Sequence, residues 1–245
     1  MAKNTRPLPF AFPASSQEIQ SRRISILVRL LVIDQGFKQS PVASIGVGTL
    51  QELLRLYDET FLDGFLRRAY GSLTVTLSTR MTSTAGKFIY SRTRGRQLER
   101  AEIRMSGDFL FRLKDGPFSL NGLSASTAQE AFLIVFEHEL CHALELALFG
   151  ETGHSKRFLA LASRLFGHTD IRHSLPTAMS EARSTGVRPG AKVAFIYSRE
   201  QLMGVVSSLG KRAAVMVPDR NGEYRDRLGR RYMKYYVPYD RLTLL

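Results

Sequence analysis

The apolar stretch Phe132–Leu144 contains two histidines four residues apart, and this feature limits what the chain can fold into more than any other. On a helix, residues four apart lie on the same face, about one turn from each other. His138 and His142 can therefore reach one metal ion. Glu139 can reach a water on that ion without being a ligand, a spacing typical of zinc hydrolases. We predict a zinc-binding helix with Glu139 as general base.

The residues around this motif favour a buried helix. Thr127 and Glu130 have the spacing of a capping box and predict the start of the helix, and Gly150 predicts its end. The alternative is a core helix whose histidines are hydrogen bonded and whose Glu139 forms a salt bridge. That alternative leaves several buried polar groups to satisfy, so we favour the metal site.

A catalytic zinc ion held by two histidines requires a third protein ligand and keeps one open position. A second amphipathic helix is predicted over residues 154–166, and a side chain at its start can point back at the first helix. His154 is the ligand that we predict. Three carboxylates stay open as alternatives: Glu145, Glu151 and Asp170. We expect His168 and His173 to be surface residues.

The segment before the motif predicts an α+β fold with a small sheet. Residues 49–65 carry apolar side chains at steps of three and four, which predicts an amphipathic helix. Three short β-like segments follow at 73–77, 86–90 and 101–105. Their connections are too short for helical crossovers, so we predict that the sheet is antiparallel. Residues 106–125 are expected to form a loop.

The first 45 residues are predicted to form an arm that is flexible in part. Residues 1–20 contain three prolines and no apolar periodicity, and periodicity does not decide between helix and strand for Ile24–Ile33. That apolar run is too short to span a bilayer, and the N-terminus lacks the order of a signal peptide. The single cysteine, Cys141, excludes an internal disulfide; it is expected to fill the core, and a thiolate metal ligand is the alternative. We expect a cytoplasmic protein with no membrane partner, associated with the nucleoid if bacterial.

Residues 185–245 form a basic, β-rich region. Short β-like segments separated by glycine-containing turns predict a small barrel. Residues 183–241 hold 13 basic and 5 acidic side chains, an excess of 8 within the chain's net charge of +13. Tyrosines are interleaved with these charges, and basic groups with aromatic faces suit single-stranded nucleic acid; those singled out are Tyr197, Tyr224, Tyr232, Tyr235 and Tyr236. The alternative is a solvated basic face over ordinary core tyrosines.

The net charge favours polyanionic partners, namely DNA, predicted to be single-stranded, or RNA. Seven basic residues are the predicted nucleic-acid contacts, three in the loop after the second predicted strand and four in the C-terminal region: Arg92, Arg94, Arg96, Lys211, Arg212, Arg230 and Arg231.

Several of these segments together resemble the SprT-like metalloprotease domain. The matching residues are His138–Ala143, Gly153, His154 and Phe158 around the motif, and Leu56–Phe61, Leu66 and Leu77–Gly86 upstream. The resemblance covers roughly residues 49–170 and implies a zincin-like (minigluzincin) core, one Zn²⁺ ion per chain and hydrolysis of peptide bonds. It implies that His138, His142 and His154 are the zinc ligands and that Glu139 is the catalytic glutamate. Relatives of the Spartan type cleave proteins crosslinked to DNA and are activated by DNA.

The predicted organisation is an N-terminal arm (1–45), a SprT-like metalloprotease domain (46–175) and a basic β-rich domain similar to SH3 or KOW barrels (185–245). The predicted function is that of a zinc-dependent metalloprotease acting on DNA-bound or DNA-crosslinked proteins. One alternative is a nucleic-acid-binding or transcription-associated factor with a structural or vestigial zinc site. Glu139 argues against it, because a structural site has no need of a base. A metallohydrolase acting on something other than protein also stays open.

Overall fold

A computed structural model describes most of the chain, namely residues 8–81, 84–94, 98–113, 116–171, 182–183, 185–210 and 212–245. The chain divides into two compact units, Met1–Leu175 and Pro176–Leu245. Within the described ranges, no helix has the length and apolar character needed to cross a membrane.

The first unit begins with helix α1, Ser16–Ile33, and the short helix α2, Gln35–Lys38. The hydroxyl of Ser15 caps the first turn of α1. The flexibility predicted for residues 1–20 is therefore wrong from Ser16, where α1 begins, and the open choice for Ile24–Ile33 is decided in favour of a helix. The predicted flexibility is also wrong for Phe10, which is buried with its ring 5.6 Å from that of Phe65. The three prolines among residues 1–20 all precede α1, so they do not interrupt its hydrogen bonds.

Helices α3, Val47–Leu62, and α4, Phe65–Tyr70, follow. Asp63 and Gly64, between them, both adopt left-handed backbone angles, which ends α3. The predicted amphipathic helix is confirmed, because its apolar stripe enters the core: Leu50, Leu53, Tyr57 and Phe61.

Strands β1, Leu73–Ser78, β2, Gly86–Arg92, and β3, Leu98–Ser106, form a sheet in the order β1-β3-β2. The prediction of an antiparallel sheet is wrong, because β1 is parallel to β3 while β2 is antiparallel to it. The prediction assumed that strands adjacent in sequence pair with each other. Instead β3, whose Ile103 and Met105 are almost fully buried, takes the centre, and β2 lies at the edge.

Residues 106–125, expected to be a loop, contain helix α5, Gly107–Arg112, and a hairpin of β4, Phe118–Leu120, and β5, Leu123–Ala125. The hairpin turn is Asn121-Gly122, and both residues have positive φ, 51° and 79°. A two-residue hairpin turn requires such angles, and Asn-Gly is the sequence most suited to it. The dipeptide was therefore an available signal for the hairpin.

Helices α6, Ala128–Phe149, and α7, Lys156–Phe166, complete the first unit. The predicted boundaries of α6 are confirmed: Thr127 accepts a hydrogen bond from the Glu130 N–H, and Gly150 ends the helix in a left-handed conformation. Most of α6 is buried, since it packs against β2 and β3 as well as against α1, α4 and α7. The motif therefore lies on a helix held from several sides.

The second unit is β-rich, as predicted. Its strands are β6, Lys192–Tyr197, β7, Glu200–Leu209, β8, Ala213–Pro218, β9, Tyr224–Arg225, β10, Arg231–Val237, and β11, Thr243–Leu244. They form one antiparallel sheet in the order β11-β6-β7-β8-β10-β9. The predicted barrel is wrong, because the edge strands β11 and β9 do not pair in the described part of the sheet. Each has only two residues, which is too short to close a barrel.

Candidate active site

Three histidines converge at one point of the first unit. His138 and His142 lie one turn apart on α6, and His154 lies just before α7. The Nε2 atoms of His138 and His154 are 3.0 Å apart, and one ring nitrogen from each of the three residues lies within 4.8 Å of the others. In the described part of the chain, this is the only group of three or more His, Cys, Asp or Glu side chains placed to hold a metal.

These donors fit a zinc ion. Zinc binds imidazole nitrogen at about 2.0–2.1 Å in tetrahedral geometry, which places neighbouring donor atoms about 3.4 Å apart. The nitrogen separations of this group require only small side-chain adjustments to meet that value. Burial, followed by the nearby charge of His154, lowers the pKa of His142 to about 4. The ring of His142 is therefore neutral near pH 7, as a metal ligand must be.

Two further side chains hold the histidines in place. The Nδ1 atom of His142 lies 2.9 Å from the hydroxyl of Thr152, so that its Nε2 is left to bind a metal. The buried carboxylate of Glu145 accepts hydrogen bonds from the Gly153 N–H, at 2.9 Å, and from the Ser155 hydroxyl. These bonds fix the turn on both sides of the third histidine. Glu145 therefore positions the turn instead of joining the cluster.

The other two carboxylates considered as third ligands also lie outside the cluster. Glu151 is exposed and forms a salt bridge with Arg157. Asp170 accepts a hydrogen bond from the N–H of Ile171 at 2.6 Å. Among the four alternatives raised by the sequence, the structure brings His154 alone together with the two motif histidines.

Glu139 is buried against the edge strand β2. The backbone N–H of Phe88 donates a hydrogen bond to its carboxylate, but burial outweighs this bond and raises the pKa of Glu139 to about 7. Gly86 allows this close approach, because a Cβ at that position would lie 2.7 Å from Cγ and 2.9 Å from Oε1 of Glu139. A carboxyl group with a pKa near 7 is suited to accept and to return a proton at neutral pH.

The histidines and Glu139 share a cleft of about 350 Å³. Gly86, Lys87 and Phe88 of β2 line it, together with Thr152 and Gly153. The metal-binding nitrogens and the proposed base therefore face one solvent-accessible space.

A buried ionic cluster, which the sequence reasoning missed, lies directly next to the motif. Glu137 accepts two hydrogen bonds from Arg23 of α1, at 2.7 and 2.8 Å, one from the Tyr57 hydroxyl at 2.8 Å, and lies 2.9 Å from Nε2 of His168. Burial alone would raise the pKa of Glu137, but the charge of Arg23 and these hydrogen bonds lower it. A glutamate within an apolar stretch requires buried partners, and this was the available signal.

The expectation that His168 is a surface residue is wrong, since only 3 % of it is exposed. Gly167 ends α7 with a left-handed conformation, and the next residue, His168, contacts Glu137 of α6. His173 lies outside the described residues.

Several of the predicted nucleic-acid contacts form bonds within the chain. Arg92 donates to the Gly150 carbonyl at the end of α6, at 2.8 Å. Arg230 pairs with Asp226 at 2.7 Å, and Arg231 donates to the Gly222 carbonyl at 2.8 Å. All five of the described residues, including Arg94 and Arg212, are exposed, and Arg96 and Lys211 lie outside the described residues.

Comparison with known proteins places this site in a family. The model of the SprT-like family matches residues 50–180, slightly more than half of the 245 residues, and the match includes all three histidines and Glu139. No curated protein and no solved structure matches the chain. The resemblance predicted from the motif residues is thus confirmed, and the chain belongs to the SprT-like family.

Proposed function

We propose that this chain is a zinc-dependent peptidase that cleaves proteins bound or crosslinked to DNA. The observation that carries the peptidase part is the convergence of three histidines and the buried Glu139 on one cleft. Membership of a family associated with metallopeptidase-like domains supports the same reaction. The proposal includes a zincin-like arrangement of the core and one zinc ion per chain.

In the proposed mechanism, His138, His142 and His154 would hold the ion through their ring nitrogens. When bound, Zn²⁺ polarises a peptide carbonyl and lowers the pKa of water towards ~7. Glu139 accepts a proton from the attacking water and later donates it to the leaving amine. Such a base typically contributes about 10²- to 10⁴-fold to the rate. The Phe88 N–H and the space at Gly86 keep the carboxylate oriented for both transfers.

The edge strand β2 and the residues between α6 and α7 define where a polypeptide can enter the cleft. Gly86 and Phe88 lie on β2, so the strand that orients the base also lines the space beside it. A substrate segment in this cleft would place its carbonyl near the histidines and its leaving nitrogen within reach of Glu139.

The DNA part of the proposal is supported by charge. The chain carries a net charge of +13, and an excess of 8 lies within residues 183–241. Positive charge of this size attracts nucleic acid and increases the concentration of DNA-bound proteins around the enzyme. Binding should weaken steeply with salt, because each phosphate contact releases counterions.

A nucleic-acid-binding factor with a structural zinc site is the competing function. A structural site is normally closed by four protein ligands and does not require a carboxylate beside it. The described residues offer three donors, and Glu139 lies in the same cleft with a pKa of about 7. Both observations favour a catalytic site.

The first experiment measures cleavage of a basic test protein by the wild-type chain and by Glu139→Gln, with and without single-stranded DNA. We expect cleavage by the wild-type protein only, and stimulation by DNA. Metal analysis of both proteins is the control, since Glu139→Gln should retain zinc while His142→Ala should lose it. Equal cleavage by Glu139→Gln would refute the mechanism. Absence of cleavage by a zinc-loaded wild-type protein would favour the binding factor.

A further inference from the structure

The sheet of the second unit presents a row of tyrosines and a lysine on the side facing away from its core. We call this row the tyrosine face, and it consists of Tyr224 on β9 and Tyr232, Lys234 and Tyr236 on β10. The predicted contacts Arg230 and Arg231, by comparison, are engaged with Asp226 and Gly222.

The strand register decides which tyrosines point outward. Tyr235 pairs with Val215, which is fully buried, and its ring lies 5.5 Å from that of Phe195 in the core. Side chains alternate along a strand, so the residues on either side of Tyr235 face away from the core. Tyr232 is paired with Tyr224 across β9 and β10, which places both rings on the same outward side.

The tyrosine face offers accessible rings beside a positive charge. Tyr236 is 64 % exposed and Tyr224 is 41 % exposed. The Nζ atom of Lys234 lies 4.2 Å from the centre of the Tyr224 ring. Residues two apart on a strand are about 6.8 Å apart, so the row forms an extended series of ring, cation and ring.

The charge of this side suits a polyanion. Within the described strands of the second unit, the outward positions carry Lys192 and Lys234 and no carboxylate. The carboxylate of Asp226, between β9 and β10, accepts a hydrogen bond from the Tyr232 hydroxyl at 3.1 Å and is paired with Arg230 at 2.7 Å. The unit as a whole has an excess of positive charge, which opposes the association of two copies through this face.

We propose that the tyrosine face binds single-stranded nucleic acid, with bases stacked on Tyr224 and Tyr236 and phosphates paired with the neighbouring cations. The proposal rests on the proposed function for its partner, DNA, and assigns that partner a surface. Stacking on aromatic rings does not depend on base identity, so binding at this face should be tolerant of sequence.

A protein partner is the competing occupant of this side of the sheet. Its exposed aliphatic residues lie on the other strands: Ile196 on β6 and Met203 and Val205 on β7. A protein would be expected to centre on these side chains, since buried apolar contacts dominate such interfaces. Nucleic acid is favoured by the rings and cations of β9 and β10. The two occupants therefore depend on different residues.

The test is fluorescence anisotropy of a labelled oligothymidine with the full chain carrying Glu139→Gln, so that no cleavage occurs. Tyr236→Ala and Tyr224→Ala should each weaken binding by roughly 5- to 150-fold, the range expected for one lost stacking contact. Tyr236→Phe, which keeps the ring, should bind within about twofold of the parent chain. Lys234→Gln should reduce the slope of log affinity against log salt by about 0.7.

Tyr197→Ala is the matched control, because Tyr197 is 55 % exposed on the same sheet but lies on the core side of the alternation, with its ring 5.0 Å from Tyr235. It should not change the affinity. Circular dichroism of each variant checks that the fold is kept.

Three results would overturn the proposal: no binding of the oligothymidine, equal binding by the tyrosine variants, or sensitivity to Met203→Lys with none to Tyr236→Ala. The last result, together with binding of an acidic amphipathic test peptide, would identify a protein surface.

Cleavage of unfolded casein by the wild-type chain without DNA tests the peptidase separately. Failure of DNA binding can therefore be distinguished from failure of the enzyme.

Discussion

Replacing Gly86 by alanine should damage catalysis while leaving the metal site intact. The new Cβ would lie 2.7 Å from Cγ of Glu139, 2.9 Å from its Oε1 and 3.0 Å from Cγ1 of Val135. None of these three nearest atoms belongs to a histidine. Carbon atoms prefer separations of about 3.5–4.0 Å, so the glutamate side chain would have to move by about 1 Å.

Of the side chains that the new Cβ would contact, that of Glu139 is the one able to move. Glu139 and Val135 both project from the buried helix α6, whose backbone is held on several sides, so the glutamate side chain is the part free to rotate. Rotation would take its carboxylate away from the Phe88 N–H. A misplacement of about 1 Å in a catalytic group costs on the order of 10²-fold in rate. The cost in stability should be smaller, about 1–3 kcal/mol for an overpacked site.

The assay compares turnover of an unfolded protein substrate, zinc content and thermal unfolding for Gly86→Ala and two controls. Gly153 lines the same cleft, and a Cβ added there would have no atom within 4 Å. Gly48 lies in α3, and a Cβ added there would also have no atom within 4 Å. We expect about 10²-fold lower turnover for Gly86→Ala alone, with zinc retained in all three proteins. Full activity in a folded, zinc-loaded Gly86→Ala protein would refute the reasoning that Glu139 must occupy this position.

Three further predictions concern other contacts. Thr152→Val should weaken zinc binding by about 10- to 100-fold in a chelator competition, since it removes the partner of a histidine ligand, whereas Thr152→Ser should bind normally. Arg23→Met removes the main charged partner of Glu137 and leaves its carboxylate buried. The free energy of unfolding, measured in urea, should therefore fall by about 3–5 kcal/mol. A fall below about 1 kcal/mol would contradict the assigned ion pair. Glu102, whose pKa is lowered to about 2 first by its hydrogen bond with Arg104, should stabilise the fold by about 1–3 kcal/mol above the ordinary glutamate pKa. This stabilisation should be lost as the pH falls towards 2, so wild type and Glu102→Gln should converge in stability there, and a constant difference across this pH range would argue against the assignment.

The sequence by itself determined the elements whose hydrogen bonds are local. The capping residues Thr127 and Glu130 and the terminal Gly150 specify the ends of α6, because each acts on backbone groups within a few residues. The spacing of His138 and His142 brings the two rings together for the same reason, since positions four apart always share a helix face.

The tertiary structure decided which distant residues meet. His154 joins the cluster because Glu145 holds the preceding turn, and sequence spacing alone left carboxylates as alternatives. The need for glycine at position 86 appears only once β2 lies against Glu139. Burial of His168 likewise depends on where the chain goes after α7.

The pairing of strands was likewise decided by contacts between residues far apart in the sequence. Alternation identified β1, β2 and β3, but it does not say which strand takes the centre, and the most buried strand β3 separates the other two. In the second unit the tyrosines were visible in the sequence, whereas the register of β10 against β8 decided that Tyr236 faces outward and Tyr235 inward. Local periodicity fixes the alternation of side chains, but which of the two faces is buried depends on packing between residues far apart in the chain.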